Sequence, residues 1–502
     1  MDVLLINPFV ERMHLELSYA ENFRPPLGLA YLAGVLEAEG RSVAILDALV
    51  LGVRDAELRE LVLRERPRYV GISTHSPTRY ECFRTAELVK DALGGDVTVL
   101  AGGPHVSAAA EDTLRHVPAI DFVVRGEGEE VLAELLRVLD AGGDVGQVRG
   151  VSWRRGDEIV ENPPQPNVAD LDALPRPARH LLPMHCYRTR MPSTHRRATT
   201  VLTSRGCPAR CTFCTRDWFS RDTRYHSPVA MADEFEEIVD RWGTPSVIVQ
   251  DDTFTLKKQR IHAFCEELRS RGLPNRRRAP LRWLATTRVD CVNLELLKDM
   301  KASGCEIVTF GVESMNNETL KWLKKGIDTR KIRRAIDWAR EAGLRVRVTY
   351  LLGVGEETEE DIVRSAAAAR TLPVDKLKAN VGLSVYPGTP SYGMAIEAGV
   401  LAADYSYAEG YRDPEKRYGN GETPRWYTPH VPRERLLQLR RETEANVLFT
   451  RPSAHEIFHK GRKFASRIRR HPVETARQVA NIARAVTRGS GLRERVRSVT
   501  DH

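Results

Sequence analysis

Residues 199–214 read TTVLTSRGCPARCTFC, a strand-like run of β-branched residues that passes straight into a loop carrying Cys207, Cys211 and Cys214. The spacing is C-x3-C-x2-C. Three soft thiolates on one short loop suit iron–sulfur ligation, and a four-iron cluster with three protein ligands leaves one iron open. A tetrahedral zinc site would want a fourth Cys or His. No second half-site pairs with this loop, although His185 and Cys186 lie upstream in a proline-rich stretch. The plainest alternative is three thiols packed without a metal.

Downstream, strands are expected at 199–203, 246–249, 282–285, 306–310, 345–350 and 377–383, with helical periodicity between them. Six β/α units of this kind close into a partial barrel, whose chemistry lies at the C-terminal ends of the strands. The cysteine loop follows the first strand at that edge. Asp251-Asp252-Thr253-Phe254 follows the second, Arg288 the third, and Gly311-Val312-Glu313-Ser314 the fourth. Gly353, Gly355, Glu356 and Glu357 follow the fifth, and Tyr386-Pro387-Gly388-Thr389-Pro390 the sixth. A carboxylate such as Glu313 can accept from two hydroxyls, and Arg288 can pair with a carboxylate. Each is also readable as an exposed loop charge.

Upstream, residues 1–145 alternate short apolar runs with helical segments, the pattern of a doubly wound parallel sheet. Three strand-end loops are polar and Gly-rich: Ser73-Thr74-His75, Gly102-Gly103-Pro104-His105, and Gly126-Glu127-Gly128-Glu129. Ligands sit at such ends, while each loop taken singly also reads as a turn. A hairpin around Gly156 and a Pro-rich linker fill 146–195, the barrel 196–400, and an irregular cap with a helical tail 401–502.

The 42% hydrophobic and 29% charged composition is that of an ordinary soluble protein. No apolar run is long enough to span a bilayer, and no signal peptide is evident, so a cytoplasmic location is expected. Eight cysteines in 502 residues are too sparse for a disulfide framework. Cys82, Cys186, Cys265, Cys291 and Cys305 read as buried thiols. The net charge of +8 belongs to the tail, where residues 451–502 hold 13 Lys/Arg against 4 Asp/Glu. Apolar Ala476, Val479, Ala480, Ala483 and Val486 between arginines suit a helix docked on the protein or on an anionic membrane surface. Nucleic acid is disfavoured for want of an aromatic stacking module.

With Phe213 in the aromatic place of C-x3-C-x-aromatic-C, the chain resembles the radical S-adenosylmethionine (radical SAM) superfamily. The resemblance implies a [4Fe–4S] cluster on Cys207, Cys211 and Cys214. It implies SAM bound at the open iron, with Phe213, Asp252, Arg288, Glu313 and Ser314 as its contacts. A doubly wound domain ahead of the barrel, the GGPH and RGEGEE loops and the LPRP linker resemble the cobalamin-binding subfamily over roughly residues 1–400. This implies a Rossmann-like cobalamin site formed by Ser73, Thr74, His75, Gly102, Gly103, Pro104, His105, Gly126, Glu127 and Gly128. The chain departs from many cobalamin proteins in lacking D-x-H-x-x-G. No histidine–cobalt bond is therefore expected, and His75 and His105 are read as corrin or tail contacts.

The resemblance implies methylation of an unactivated carbon of a small-molecule, natural-product or lipid-like substrate. One SAM would methylate the cobalamin and another would supply a 5′-deoxyadenosyl radical, with electrons from a donor such as flavodoxin or ferredoxin. The same cofactors also support cyclisation, oxidation or rearrangement. A reading of another class is a non-catalytic cobalamin or iron–sulfur sensor.

Overall fold

The computed structural model describes residues 1–11, 13–14, 23–215, 221–413 and 423–445. The expected basic tail helix lies outside them. Alternating apolar residues build the first sheet from strands β1 (Val3–Asn7), β2 (Val43–Asp47), β3 (Tyr69–Ser73), β4 (Thr98–Gly102) and β5 (Phe122–Val124). These are parallel in the order β2-β1-β3-β4-β5. On β1, Val3 and Leu5 enter the core on one face, and Leu4 and Ile6 the core on the other. A period of two with both faces apolar is what a strand covered by helices on both sides requires. Helices Leu27–Ala38 and Gly128–Asp140 cover one face; Asp55–Glu65 and Arg79–Leu93 cover the other. The chain turns from one side of β1 to the other between β2 and β3. The ligand crevice of such a sheet therefore lies at the carboxyl ends of β1 and β3.

Two assignments change. The hairpin expected in the linker is strands β6 (Val151–Arg155) and β7 (Glu158–Glu161), which extend the first sheet antiparallel beyond β5. The proline-rich segment is not a solvated spacer. Ala178, Leu182, Met184 and Tyr187 are buried in the first domain's core, and Met191 is buried under the barrel sheet. Pro-rich sequence lacks periodicity, so its burial shows only against its partners. The backbone N–H of Ala178 donates to Ala30 O at 2.8 Å, and a Cβ on Gly34 would lie 2.5 Å from Arg176 O.

In the second domain come β8 (Ala198–Val201), the short antiparallel pair β9 (Ser204–Arg205) and β10 (Arg224–Tyr225), then β11 (Ser246–Val249), β12 (Arg282–Thr287), β13 (Cys305–Glu313), β14 (Arg345–Leu352) and β15 (Lys376–Val381). The six long strands are all parallel, in the order β15-β14-β13-β12-β11-β8. β8 and β15 do not pair, so the barrel is open. Helix Arg433–Ala445 packs along the β15 edge, where Glu444 accepts from Ala379 N at 2.9 Å. The core behind the strands centres on Phe235, Phe254, Phe264 and Trp283, each fully buried in edge-to-face contact. Burying one such ring contributes roughly 2–3 kcal/mol.

The described part of the C-terminal cap returns to the first domain. Asp112 accepts from Ser406 Oγ at 2.6 Å and from Tyr407 N at 2.8 Å, and Arg79 Nε donates to Tyr407 O at 2.7 Å. Between linker and barrel, Arg179 donates to Glu234 at 2.6 Å and to Thr200 O at 2.8 Å; both charged side chains are buried. Removing one partner of such a pair leaves a buried charge uncompensated. Glu234→Ala is expected to destabilise the protein by about 3–5 kcal/mol, and Glu234→Gln by less. Denaturant unfolding of the two variants side by side checks this, and equal midpoints would contradict it.

Candidate active site

The cysteine loop is held from three sides. At its start, Asp251 accepts from Thr203 N and Thr203 Oγ1, each at 2.6 Å, and from Ser204 Oγ at 2.5 Å. Burial pushes the Asp251 carboxyl up, opposed by these hydrogen bonds and by Arg260. In the middle, Thr212 N donates to Leu323 O at 3.0 Å, and Thr212 O accepts from Ser391 N at 2.8 Å. Ser391 follows the Pro387-Gly388-Thr389 turn, so the sixth strand's loop braces the first strand's loop. Cys207 Sγ lies 3.4 Å from Thr253 Oγ1, while Cys211 and Cys214 share a hydrogen bond. All three thiols belong to one loop, as expected. Among the described residues, no set of three or more His, Cys, Asp or Glu side chains is gathered for a single metal ion.

Glu313 ends β13 at a register shift and takes φ +66°, a left-handed conformation costly for a residue with a side chain. Its carboxylate accepts from Lys325 Nζ at 3.0 Å and from Thr349 Oγ1 at 3.3 Å. Glu313 and Lys325 are each 7% exposed. Burial lowers the Lys325 pKa, but the charge of Glu313 and then Cys211 outweigh it, so the ammonium is held above its ordinary value. A Cβ on Gly311 would meet both Glu313 Oε1 and Lys325 Nζ at 2.8 Å, so a side chain there would displace the ends of this ion pair. Lys325 Nζ also stands 5.7 Å from the centre of the Phe213 ring, which packs beside Leu323, Leu351, Val354 and Leu383. Sequence reading did not find Lys325; its neighbourhood comes from a loop twelve residues past Glu313.

Arg288 binds Asp290 through two bonds of 2.8 and 2.9 Å, and points Nη1 at Cys211 Sγ, 3.9 Å away. Its guanidinium is therefore already paired and adjoins the Cys211 thiol. Asp252 is exposed at the strand edge. Ser314 departs from expectation. Its hydroxyl is fully buried and faces Ser365 Oγ at 3.1 Å, behind the sheet, because the backbone reversal at Glu313 turns the next side chain inward. Cys291 is half-buried rather than buried, with its Sγ 3.8 Å from Asp290 Oδ1.

In the first domain, His75 and Pro104 are exposed at the crevice, with Ser73, Gly102, Gly103, Gly126, Glu127 and Gly128 half-buried around them. Thr74 is fully buried, its hydroxyl 2.8 Å from Cys82 Sγ. Gly103 has φ +108°, and a Cβ there would lie 2.6 Å from Thr74 O, so this glycine lets two strand-end loops meet. His105 corrects the expected corrin contact. Its ring is 1% exposed, between Phe83 and Tyr407, with Nδ1 3.0 Å from Ser76 Oγ. Burial, then Arg79 and His75, push its pKa down to about 3. Glu127 is likewise committed, binding Arg224 through two 2.7 Å contacts. Arg205, two residues before Cys207, binds Glu129 at 2.6 Å and Glu127 at 3.6 Å. The loop after β5 and the cysteine loop are thereby pinned together.

The sequence of residues 201–369 matches the radical SAM superfamily, and residues 17–136 match the B12 binding domain. An uncharacterized methyltransferase of Pyrococcus horikoshii is 32% identical over 75% of this chain and 80% of its own length. The chain belongs to the radical SAM superfamily. Among its relatives, the anaerobic magnesium-protoporphyrin IX monomethyl ester cyclase of Rubrivivax gelatinosus is 31% identical over 74% of this chain and 66% of its own length. The hopanoid C-3 methylase of Methylococcus capsulatus is 28% identical over 73% and 68%. The fold of this radical SAM protein matches the methyltransferase TsrM of Kitasatospora setae, solved with cobalamin and a [4Fe–4S] cluster. The TM-score is 0.69 at 21% identity, over 88% of this chain and 91% of that one.

The residues present fit the cofactors of this superfamily branch. The three soft thiols on one braced loop suit a [4Fe–4S] cluster. The left-handed Glu313 with its buried lysine, beside Phe213, offers polar and aromatic contacts for SAM. The small, backbone-rich crevice at the ends of β1, β3 and β4 suits cobalamin.

Replacing any one of Cys207, Cys211 or Cys214 by Ala is expected to abolish stable iron and sulfide incorporation, checked by metal and sulfide analysis after anaerobic reconstitution. For His105, the folded-state pKa lies below the unfolded value of 6.5. Its contribution is therefore complete above about pH 6.5 and is lost as pH falls toward about 3. His105→Asn is expected to flatten this limb of the stability–pH curve; a superimposable limb in the variant would contradict the assignment.

Proposed function

We propose that this protein is a cobalamin-dependent radical SAM methyltransferase that acts on an unactivated carbon of a small molecule. The observation that carries the reading is the Arg205 bridge to Glu127 and Glu129. It joins the ligand edge of the first domain to the cluster loop of the second, as a shared reaction space requires. When bound, the cluster, SAM and cobalamin supply an organic radical and a transferable methyl group.

The chain's own residues bind and orient. Cys207, Cys211 and Cys214 hold the cluster, and Arg288 places positive charge against the Cys211 sulfur. Glu313, positioned by Lys325 and Thr349, offers a carboxylate to hydroxyl donors. Phe213 presents its ring beside it. The crevice residues Ser73, His75, Gly102, Gly103, Pro104, Gly126 and Gly128 receive the corrinoid, with Thr74 shaping the loop from beneath. Electrons come from a small donor such as flavodoxin or ferredoxin. The described residues include no helix long and apolar enough to cross a membrane. Peripheral contact with a membrane, if the substrate is lipid-like, would fall to the basic tail.

Relatives named as cyclases favour a second reading, in which the same cofactors close a ring or oxidise without methyl transfer. SAM-derived products distinguish the two. Reconstituted protein under reducing conditions, given the substrate, is expected to yield both 5′-deoxyadenosine and S-adenosylhomocysteine, the latter requiring cobalamin. 5′-Deoxyadenosine alone would favour cyclisation or oxidation. If neither product formed, the radical assignment would fall.

A further inference from the structure

Arg288 follows β12 directly, and the chain then makes one short turn, Val289–Cys291, in which Cys291 N donates to Arg288 O at 3.2 Å. The turn sets Asp290 beside the guanidinium. Nε of Arg288 donates to Asp290 Oδ1 at 2.9 Å, and Nη2 donates to Asp290 Oδ2 at 2.8 Å. Nη2 also donates to Lys325 O at 2.7 Å. Nη1 points away from the edge that Asp290 occupies and stands 3.9 Å from Cys211 Sγ. Cys211 is 4% exposed, so water screens this contact little.

The carbonyl on Lys325 is fixed in its turn. Lys324 takes φ +49° and Gly326 φ +71° on either side of it. The Lys325 ammonium is held by Glu313 at 3.0 Å, and Leu323 O accepts from Thr212 N, in the cysteine loop, at 3.0 Å. The guanidinium is thus gripped from two directions, and its remaining corner faces sulfur.

An arginine takes a carboxylate through two parallel N–H groups on one edge. On Arg288 the Nε–Nη2 edge is filled by Asp290, and both Nη2 hydrogens are spent on Asp290 and Lys325. The Nη1–Nη2 edge is therefore incomplete as well, so a SAM carboxylate finds no paired donors here. What the side chain does present is the positive end of an ion pair, aimed at a cysteine sulfur. Hydrogen bonds and charge at the sulfurs set the potential of an iron–sulfur cluster. Positive charge favours the reduced form, which carries one more electron.

We propose that Arg288 is a positioning residue that raises the reduction potential of the cluster through the Cys211 sulfur, with Asp290 as the counter-charge that limits the rise. The inference rests on the radical SAM reading and deepens it. It assigns Arg288 to the cluster and leaves the SAM carboxylate to other groups.

The test uses the full chain reconstituted anaerobically with iron, sulfide and cobalamin, without SAM. The electron paramagnetic resonance signal of the reduced cluster is followed against applied potential. Arg288→Gln is expected to disfavour one-electron reduction about ten-fold, a midpoint about 59 mV more negative. Asp290→Asn is expected to move the midpoint the opposite way, and Arg288→Lys to fall between wild type and Arg288→Gln. Should Arg288→Gln take up less iron than wild type, the other two variants carry the comparison. Midpoints equal to wild type, or shifts of Arg288→Gln and Asp290→Asn in the same direction, would overturn the proposal. Equilibrium dialysis with SAM is the second readout, and unchanged affinity in Arg288→Gln is expected. Lost SAM affinity with an unmoved midpoint would return Arg288 to the SAM site. A wild type that takes up no iron would sink the radical reading itself, and this proposal with it.

Discussion

A guanidinium two residues ahead of the first cysteine of the C-x3-C-x2-C loop ties the two halves of the molecule together. Arg205 pairs with Glu129 and Glu127, and Arg224 closes on Glu127 from the partner strand β10. Arg205 also lies over the Tyr31 ring at 5.2 Å. Ion pairs removed from water contribute little net stability, because desolvation offsets attraction. What they supply is register, since a misplaced domain would leave four charges buried without partners. The cysteine loop thus has its position set by the first domain as well as by its own barrel.

The barrel side uses strain for the same end. A left-handed Glu313 sits at a register shift and is held by a buried lysine and by Thr349. Such a conformation persists when its surroundings over-determine it. It turns the carboxylate toward the concave face and the next residue, Ser314, into the core. One backbone reversal therefore decides which of two adjacent polar side chains can meet a ligand.

The segments between the domains follow this logic. The proline-rich stretch and residues 406–411 pack on the first domain from opposite ends of the barrel, the first against helix Leu27–Ala38, the second against helix Arg79–Leu93. Proline-rich backbone has few N–H groups to satisfy, so it can be buried with few hydrogen bonds. The crevice between sheets is thereby framed by covalent straps as well as ion pairs.

The local pattern of apolar residues determined the long parallel strands of both sheets, the helices between them and the cysteine loop, because periods of 2 and 3.6 and the cysteine spacing are written along a single stretch of chain. The hidden features each join residues from different elements: Lys325 with Glu313, and Arg205 with Glu127 and Glu129. The same holds for the errors. His105 and Ser314 read as exposed loop residues, yet His105 lies in the short helix Pro104–Ala108, and burial depends on what packs over each, here Tyr407 and Ser365. Chemistry-bearing residue types were legible in the sequence. Their direction and partners were decided by tertiary packing, because a side chain's surroundings come from elements that its own neighbours do not encode.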